Sequence, residues 1–526
     1  MKPPLVVAFI FLLLNGCLWN DDNKPGKPLI ALHFNGEVKN DGLSSVLIKG
    51  DSLVSFEKTK KDTSLDLSAA ARYRKPVSIY LDNSFSLDDY KGFTVCVWVK
   101  KAFDDPEKYT IVAQKNGGAD QFVGWQMEAA ANGGWKWTIS DGTKTWQYVP
   151  TVPKQSISDG RWHQLAFSFN KEAQEGTIFF DGENVAIYSL SDIHLDLGFT
   201  PFYVGVDPFA PDVKMETFNG QIDDFGVWSR PLSHREIALL FKAKSGKRIG
   251  KSPGMDEELK VMSWNIWHGG RHEGRQVGVD RVTEIIKASG ADIILLQETY
   301  GSGEKIADAL NFQYYRRSSN LSVLSRYPFA ESYNMFRPFN FGCIKVELGA
   351  DRAVLACPVW LHYLPNTGAY VKSGHAIPDS IVAREMETRG LEMKLILSEL
   401  RQFLLKNDEV PLIVAGDFNS GSHLDWTDRN HANYYGLTVT YPVSQQMVNA
   451  GFQDSYRELF QDETVYLGQT WSPIFKSSMQ DRIDYIYYSG EMLKPIDSWV
   501  IDTHPLGFPS DHAAVVTTFQ WQKKSK

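Results

Sequence analysis

Six short stretches in the second half of the chain place a carboxylate, an amide or an imidazole at the end of an apolar run. One polar residue that closes a strand is usually a turn former or a cap. The same pattern repeated six times in one region instead predicts a shared site. The residues are Asn265, Glu298, His362, Asp417 with Asn419, Asp484, and Asp511 with His512.

The side-chain types in this set suit phosphoester hydrolysis. Carboxylates and amides without clustered thiols are typical ligands of a hard cation such as Mg²⁺ or Mn²⁺, which neutralises phosphate oxygens and a leaving alkoxide. A histidine beside an aspartate supplies an acid or base near neutral pH, an effect of about 10²- to 10⁴-fold in rate. The set therefore predicts metal-assisted cleavage of a phosphoester.

The stretch "LIVAGDFN", residues 412–419, shows how a strand would present such groups. Side chains alternate between the two faces of a strand. We therefore expect Asp417 and Asn419 to point together toward the phosphate and the attacking water, while Phe418 points into a core.

Two halves of the chain have different patterns. Residues 28–245 read as short alternating runs separated by turn residues, which predicts an all-β domain, closed by a short helix that Ser233 would cap. From residue 258 to 526, apolar strands alternate with amphipathic helices such as "LEMKLILSELRQFLLKN", which predicts an α/β domain. Residues 246–257, polar and rich in Lys and Gly, are the expected linker.

The motifs "WNIW", "LLQET", "LHYLP", "GDFN", "RIDYIYY" and "SDH" follow one another in the second half. In this order they resemble the endonuclease/exonuclease/phosphatase superfamily, which includes DNase I-like nucleases, neutral sphingomyelinases and inositol-phosphate phosphatases. The resemblance implies a DNase I-like four-layer sandwich, with two β-sheets covered by helices.

The same resemblance implies a role for each motif residue. Glu298 would be the principal metal ligand, with Asn265 nearby and Asp511 completing the shell, and the metal would be Mg²⁺ or Mn²⁺. His512, oriented by Asp484, would activate water. The phosphate and the nucleophile or leaving group would be contacted by Asp417, Asn419 and His362, the last of which steadies phosphate or protonates the leaving oxygen.

Four stretches of the first half, "FTVCVWVK", "SDGRWHQLAFSFN", "GTIFFDGENVA" and "FNGQIDDFGVWSRPLSHREIALLF", resemble the laminin-G-like, concanavalin A-like sandwich family. The resemblance implies a jelly-roll sandwich that either binds glycan, sometimes with Ca²⁺, or acts as a spacer. The pair Asp223 and Asp224 offers oxygen ligands for calcium. An aromatic-rich stretch would either stack on sugar rings or, as we favour, fill the core. Its members are Trp135, Trp137, Trp146 and Tyr148.

The N-terminus reads as an export signal. Lys2 precedes an apolar stretch that ends in "LNGC", and this resembles a bacterial lipobox, which implies a signal peptide over residues 1–16 and lipid modification of Cys17. Ordinary secretory cleavage nearby is the alternative. Residues 17–27 would form a tether, and Leu18 after the cysteine favours the outer membrane or cell surface as the location.

Charge gives no support for binding of extended nucleic acid. The formal net charge is -8, and residues 258–526 hold 26 Lys and Arg against 31 Asp and Glu. A lipid head group, a sugar phosphate or another small phosphodiester is therefore the expected substrate. Residues after His362 would contact it, with the arginines either clamping a second charged group or lying in solvent. They are Tyr363, Asn366, Arg384 and Arg389.

The sequence leaves two alternatives to a hydrolase that acts on a small phosphoester. One is an extracellular nuclease of the DNase I type. The other is a glycan-binding surface adhesin in which the second domain is an inactive scaffold, although the intact motif set argues against it. The pair Cys343 and Cys357 flanks an expected hairpin and would be either a disulfide or two buried thiols.

Overall fold

The protein is described by a computed structural model. The described residues are 25–34, 37–49, 55–58, 63–68, 71, 79–83, 85–103, 105, 107–118, 121–207, 209, 217–247 and 254–522. The expected signal peptide, the lipidation site Cys17 and most of the tether lie outside them, as do residues 248–253 of the linker. Within the described residues, no helix combines the length and apolar character needed to cross a bilayer.

The first half folds as two sheets of short strands, as the alternating pattern predicts. The strands are β1 (Ile30–His33), β2 (Lys39–Asn40), β3 (Val46–Lys49), β4 (Ser55–Lys58), β5 (Thr63–Asp66), β6 (Ile79–Asn83), β7 (Gly92–Lys101), β8 (Tyr109–Gly117), β9 (Phe122–Ala129), β10 (Trp135–Asp141), β11 (Thr145–Tyr148), β12 (His163–Asn170), β13 (Glu175–Phe180), β14 (Glu183–Ser189), β15 (Phe202–Val204) and β16 (Gly220–Trp228). One sheet has the order β2-β1-β16-β7-β12-β13-β14, and the other has the order β11-β10-β9-β8-β15-β6-β3.

Helical segments with described bounds accompany the sandwich. They are a 3₁₀ turn (Leu87–Asp89) and the helices α1 (Val152–Gln155) and α2 (His234–Ser245). Ser233 caps α2 as the sequence predicts, because its hydroxyl accepts a hydrogen bond from the Glu236 amide while the Glu236 carboxylate accepts one from the Ser233 amide. The all-β sandwich predicted for this half is confirmed.

The aromatic-rich stretch of the sandwich lies inside it. Trp135, Trp137 and Tyr148 are buried in the core between the sheets. Trp146 is partly buried, and the guanidinium of Arg316 from the second domain lies 3.6 Å from the centre of its ring. The alternative in which the stretch stacks on sugar is therefore wrong for the three buried rings, which serve packing.

A lysine ammonium lies between Asp223 and Asp224, the two carboxylates considered for calcium. The ammonium of Lys244 lies 2.5 Å from Asp223 and 2.8 Å from Asp224. Burial and the neighbouring carboxylate of Asp224 raise the pKa of Asp223 to about 6. The expectation of a calcium ion at this pair is corrected, because a lysine ammonium takes the place between the two carboxylates.

The second half supplies twelve further strands and the remaining helices of the described chain. The strands are β17 (Glu258–Asn265), β18 (Ile293–Gln297), β19 (Gln313–Arg316), β20 (Ser322–Ser325), β21 (Phe329–Tyr333), β22 (Cys343–Gly349), β23 (Arg352–Trp360), β24 (Leu412–Asp417), β25 (Gln453–Asp454), β26 (Asp484–Ser489), β27 (Leu493–Ile501) and β28 (Ala514–Trp521). The helices are a short turn (Trp267–Gly270), α3 (Val277–Ser289), α4 (Gly303–Leu310), α5 (Thr367–Lys372), α6 (Pro378–Met386), α7 (Arg389–Leu404), a 3₁₀ turn (His431–Asn433), α8 (Pro442–Asn449) and α9 (Ser455–Leu459).

These elements form four layers. Strands in the order β19-β20-β18-β17-β28-β27 form one sheet, and strands in the order β21-β22-β23-β24-β26-β25 form the other. A core of aliphatic side chains, among them Val261, Leu295 and Ile413, fills the space between the sheets. Helices α3 and α4 cover the outer face of the first sheet, and α7 and α8 cover that of the second. The predicted four-layer α/β sandwich is confirmed.

The two domains share one continuous sheet. Strand β14 of the sandwich pairs in parallel with β19, so that Ala186 lies opposite Tyr314 and Tyr188 lies opposite Arg316. Buried residues of both halves belong to one apolar cluster. The sandwich is thus packed against the second domain through backbone pairing and a shared core.

A disulfide joins Cys343 and Cys357 on the neighbouring strands β22 and β23. Ile344 lies opposite Ala356 in this hairpin, and that register places the two cysteines opposite each other. Of the two alternatives that the sequence left open, the structure shows the disulfide.

Candidate active site

Strand register brings the polar residues together where the two inner sheets end. In the first sheet, Asn265 at the end of β17 lies opposite Gln297 at the end of β18, so Glu298 emerges beside it. In the second sheet, Asp417 at the end of β24 lies opposite Asp484 at the start of β26. The carboxylates therefore come from two sheets that face each other.

Asn265 connects the two sheets. Its Nδ2 amide donates to Oε1 of Glu298 at 3.2 Å and to Oδ2 of Asp417 at 3.1 Å. Its backbone carbonyl accepts a hydrogen bond from the hydroxyl of Ser510, which also accepts one from the amide of His512. One buried amide thus fixes the positions of a carboxylate from each sheet.

Several residues of this site have left-handed backbone conformations. The φ angle is 55° at Glu298, 49° at Asn419, 48° at Trp267 and 50° at His268. Such angles cost a non-glycine residue of order 1–3 kcal/mol and are found mostly where the surrounding structure enforces them, often at functional sites. At Glu298 the turn lets the backbone amide of His268 donate to Oε2 of the carboxylate at 3.1 Å.

Asn419 reaches the site by a turn instead of by strand alternation. Strand β24 ends at Asp417, and the left-handed Asn419 curls back so that its Nδ2 donates to Asp417 at 3.1 Å and to the Leu361 carbonyl at 2.9 Å. Phe418 is fully buried against Tyr485 and Tyr487, as expected. The predicted neighbours are correct, although the geometry that joins them is a turn.

His512 is held between two buried carboxylates. Its Nδ1 lies 2.9 Å from Oδ2 of Asp484, and its Nε2 lies 3.7 Å from Oδ2 of Asp417. Burial by itself lowers the pKa of an imidazole, but these carboxylates and Asp511 raise the pKa of His512 to about 10. The Asp484 contact also fixes the ring orientation and leaves Nε2 facing the site.

Two acids of the cluster have raised pKa values. Burial, with the charge of Asp484 adding to it, raises the pKa of Asp417 to about 7. Burial, with the charge of Glu298 adding to it, raises the pKa of Asp511 to about 6. Closely spaced carboxylates repel one another when charged, and a cation bound among them would relieve that repulsion.

The donor set fits a hard divalent cation. Glu298 and Asp511 supply carboxylate oxygens, which are ligand types of Mg²⁺ and Mn²⁺. The side-chain oxygen of Asn265 beside them accepts a hydrogen bond from the Trp267 amide at 3.0 Å. Within the described residues, the buried Oδ1 atoms of Asp511 and Asp484 accept no hydrogen bond. Asp417, Asp484 and His512 also offer ligand atoms within 4.8 Å of one another, a second arrangement that could hold an ion.

His362 lies two residues after β23, in the loop next to Asp417. The Leu361 amide donates to the Asp417 carbonyl, and the His362 amide donates to Oε2 of Glu392 at 2.9 Å. The His362 ring is exposed and stacks on Tyr363 at 5.2 Å. The imidazole is therefore accessible at the rim of the site.

The two arginines expected near the substrate have different environments. Arg389 is buried, pairs with Glu385 at 2.7 Å and donates to the carbonyls of His362 and Pro365. It holds the loop that carries His362, so its expected role as a substrate contact is corrected to a structural one. Arg384 lies over the ring of Tyr370 at 4.7 Å.

Tyr363 and Asn366, the other two residues expected to contact substrate, line one cavity together with Asn419. Tyr363 is 56% exposed. The side chain of Asn366 caps helix α5 by accepting a hydrogen bond from the Ala369 amide at 2.8 Å. Both predicted contacts are thus placed beside the candidate active site.

Several residues that hold the site in place are not predicted by the sequence motifs. Asn320 accepts a hydrogen bond from the Glu298 amide, and Thr470 accepts one from the Asp484 amide. The ring of Trp471 packs edge-on to His512 with centroids 4.9 Å apart. These residues lie in loops without a recognisable motif, and only the packing of distant segments reveals them.

Each half of the chain matches a family model. The endonuclease/exonuclease/phosphatase family model matches residues 262–512, and the model of the concanavalin A-like lectin/glucanases superfamily matches residues 77–238. An uncharacterized protein of Caenorhabditis elegans is 25% identical over 299 residues, which are 50% of this chain and 91% of the relative. The non-toxic nonhemagglutinin of Paraclostridium bifermentans is 22% identical over 204 residues, 36% of this chain and 16% of that protein.

Three solved structures to which the chain is similar each cover about half of it. Truncated TDP2 of Caenorhabditis elegans is 18% identical and covers 50% of this chain and 97% of its own, with a TM-score of 0.36. The human Nocturnin catalytic domain with bound sulfate is 17% identical and covers 51% and 97%, with a TM-score of 0.35. The receptor-binding domain of a botulinum neurotoxin C/D mosaic serotype is 17% identical and covers 45% and 57%, with a TM-score of 0.33.

The family assignments agree with the two folds and with the cluster of motif residues at the strand ends. The endonuclease/exonuclease/phosphatase superfamily includes metal-dependent phosphoesterases and nucleases. The second half of the chain is thus a domain of the endonuclease/exonuclease/phosphatase family, and a concanavalin A-like sandwich domain precedes it.

Proposed function

We propose that the protein is a divalent-metal-dependent phosphoester hydrolase that acts on a small phosphodiester, a sugar phosphate or a lipid head group. The observation that carries the proposal is the meeting of Asn265, Glu298, Asp417, Asp484 and His512 at one buried site, through the contacts of 2.9 to 3.7 Å described above. Asp511 precedes His512 and adds another buried carboxylate.

Each group has a part in the proposed reaction. A cation held by Glu298 and Asp511, with Asn265 beside them, would neutralise phosphate charge and, by repulsion, lower the pKa of His512 below its value in the metal-free protein. His512, oriented by Asp484, takes a proton from water at Nε2. The water oxygen bonds to phosphorus, the bond from phosphorus to the alcohol oxygen breaks, and the alcohol leaves with a proton.

The remaining groups act on the phosphate and the leaving group. Asn419 presents its amide beside Asp417, and both contact the phosphate and the nucleophile or leaving oxygen. His362, exposed at the rim, steadies phosphate or protonates the leaving alcohol. These positions at the rim and floor of one site support the division of roles.

Location and the role of the sandwich belong to the same proposal. The apolar run before "LNGC" supports a lipid anchor at Cys17 and a place at the outer membrane or cell surface. The concanavalin A-like superfamily match supports glycan binding by the sandwich. With the rings of Trp135 and Trp137 buried, a glycan would bind at some other surface of that domain.

Hydrolysis tests the proposal directly. The chain from Asp21 onward is incubated with Mg²⁺ or Mn²⁺, and then with EDTA, on bis-p-nitrophenyl phosphate, plasmid DNA, RNA, sphingomyelin, phosphatidylinositol and inositol phosphates. We expect metal-dependent cleavage of a small phosphoester that falls at least about 10²-fold in His512→Ala.

Other outcomes decide between the alternatives. Preferred cleavage of DNA would make the protein a nuclease of the DNase I type. A folded chain that cleaves nothing with either metal, and whose glycan binding survives the double substitution Glu298→Gln and His512→Ala, would show an adhesin instead of an enzyme.

A further inference from the structure

A cavity of about 480 Å³ opens beside the candidate active site. Asn419 lines it, and so does Trp471, whose ring packs against His512. Loop and helix residues that follow His362 form one wall, and residues before Asp484 form another. Cavities of 300–1,000 Å³ are typical ligand sites, so this one has room for a substituent of the phosphoester.

The cavity has aromatic side chains at its mouth. Tyr363 is 56% exposed there, and Trp471 is partly exposed. An aromatic ring offers a flat apolar surface on which the C–H face of a saturated ring packs well. Met479 adds a further apolar surface in the interior.

A buried hydroxyl in the cavity wall has no hydrogen-bond partner. Tyr441 is 1% exposed, and its hydroxyl makes no hydrogen bond within the described part of the chain. A buried hydroxyl left without a partner costs about 1–3 kcal/mol, which a ligand hydroxyl would relieve. Asp481, buried in the same wall, adds carboxylate oxygens that accept hydrogen bonds from Trp426 and from the Arg482 amide.

The charges around the cavity do not suit a second phosphate. Lys372 is the single lysine or arginine among the residues that line the cavity, and its ammonium donates to the Ser477 carbonyl. Arg389, which could have clamped a phosphate, is buried and paired with Glu385. A neutral ligand with hydroxyl groups matches these walls better than an anion does.

On this basis we infer that the cavity binds a sugar ring, which is one alcohol of the phosphoester cleaved at the neighbouring site. The inference rests on the proposed hydrolase function and narrows its substrate to sugar phosphodiesters. Tyr441 is the specificity-determining residue, because its hydroxyl pairs with a sugar hydroxyl that a methyl or alkyl ester lacks.

Chromogenic diesters test the inference. The full described domain pair, residues 25–522, is assayed with Mg²⁺ or Mn²⁺ on p-nitrophenyl phosphodiesters whose second alcohol is the 6-hydroxyl of glucose, methanol, thymidine or decanol. The glucose diester should have the highest kcat/KM. In Tyr441→Phe, the ratio of kcat/KM for the glucose diester to that for the methyl diester should fall by about tenfold, the effect of one hydrogen bond.

Tyr434→Phe is the matched control. Tyr434 is equally buried in the same cluster and its hydroxyl also lacks a partner in the described residues, but it does not line the cavity. That variant should keep the wild-type ratio. An equal fall in both variants, or an unchanged ratio in Tyr441→Phe, would overturn the role of Tyr441.

The four substrates separate the inference from the proposed function. Preference for thymidine or decanol would show a base or lipid site and overturn the sugar assignment, while the hydrolase function would stand. Equal rates on all four diesters would do the same. Cleavage of none of them, by folded, metal-supplied protein that cleaves another ester of the panel above, would overturn the inference alone. Silence on the whole panel would overturn the hydrolase function as well.

Discussion

Asp484→Asn should separate an orienting role of Asp484 from a metal-binding role. Asp484 is fully buried, and its Oδ2 lies 2.9 Å from Nδ1 of His512. The asparagine has nearly the same shape and can still accept the Nδ1 hydrogen bond, but it lacks the negative charge. The variant therefore removes the stabilisation of the imidazolium that forms when His512 takes a proton.

Coulomb's law gives the size of the effect. With charge centres about 4 Å apart and an effective dielectric constant of about 20, the interaction is about 4 kcal/mol. Each 1.36 kcal/mol in the barrier is a factor of ten, so kcat should fall by about 10³-fold. The protein should keep its fold, because the change adds no volume and the strand pairing of β26 is made by backbone groups.

The assay is hydrolysis of bis-p-nitrophenyl phosphate at several Mg²⁺ concentrations. We expect a lower kcat with an unchanged Mg²⁺ concentration for half-maximal rate. Asp502→Asn, at an exposed position, is the control and should behave as the wild type. A loss of less than tenfold would refute the electrostatic reasoning. A tenfold higher Mg²⁺ requirement would instead make Asp484 a metal ligand, as the alternative ion cluster allows.

Three stability predictions follow from buried interactions, each checked by urea unfolding. Arg316→Ala removes the guanidinium from the ring of Trp146 between the domains and should lower the free energy of unfolding by about 2 kcal/mol. A change below about 0.5 kcal/mol would contradict a desolvated cation–π contact. Replacing Cys343 and Cys357 by alanine opens a loop with a separation of 14 residues and should cost about 3 kcal/mol, so equal stability with and without reductant would argue against the bond. Burial and a neighbouring carboxylate raise the pKa of Asp481 to about 8. The free energy of unfolding of the wild type should therefore fall, relative to that of Asp481→Asn, as pH rises from about 4 through 8. A difference that does not change with pH would contradict the raised pKa.

Local sequence patterns predicted most of the secondary structure and both fold classes. Alternating apolar residues predicted the sandwich strands, and the 3.6-residue period of "LEMKLILSELRQFLLKN" predicted the helix that the structure places at Arg389–Leu404. The signal that Ser233 caps a helix was also in the sequence, since the cap and Glu236 are three residues apart. Such features depend on neighbouring residues and can be read without knowing the tertiary fold.

The candidate site was predictable in its members but less so in its geometry. Asp417, Asp484 and His512 were recognisable because polar residues at strand ends stand out from apolar runs. The turn at Asn419 was not, because Asn419 lies two residues beyond the end of β24, where strand alternation no longer applies. Arg389 looked available for substrate in the sequence, yet a charge on an amphipathic helix can face either solvent or core, and here it faces a buried glutamate.

The sequence by itself therefore determined the two fold classes and the motif residues. Tertiary structure alone decided that Asn265 joins the two sheets, that Lys244 lies between Asp223 and Asp224, and that β14 pairs with β19 across the domains. The physical reason is the separation along the chain of the residues that interact. Periodicity, capping and charge are properties of consecutive residues, whereas these contacts join groups tens to hundreds of positions apart, which meet only when the cores have packed.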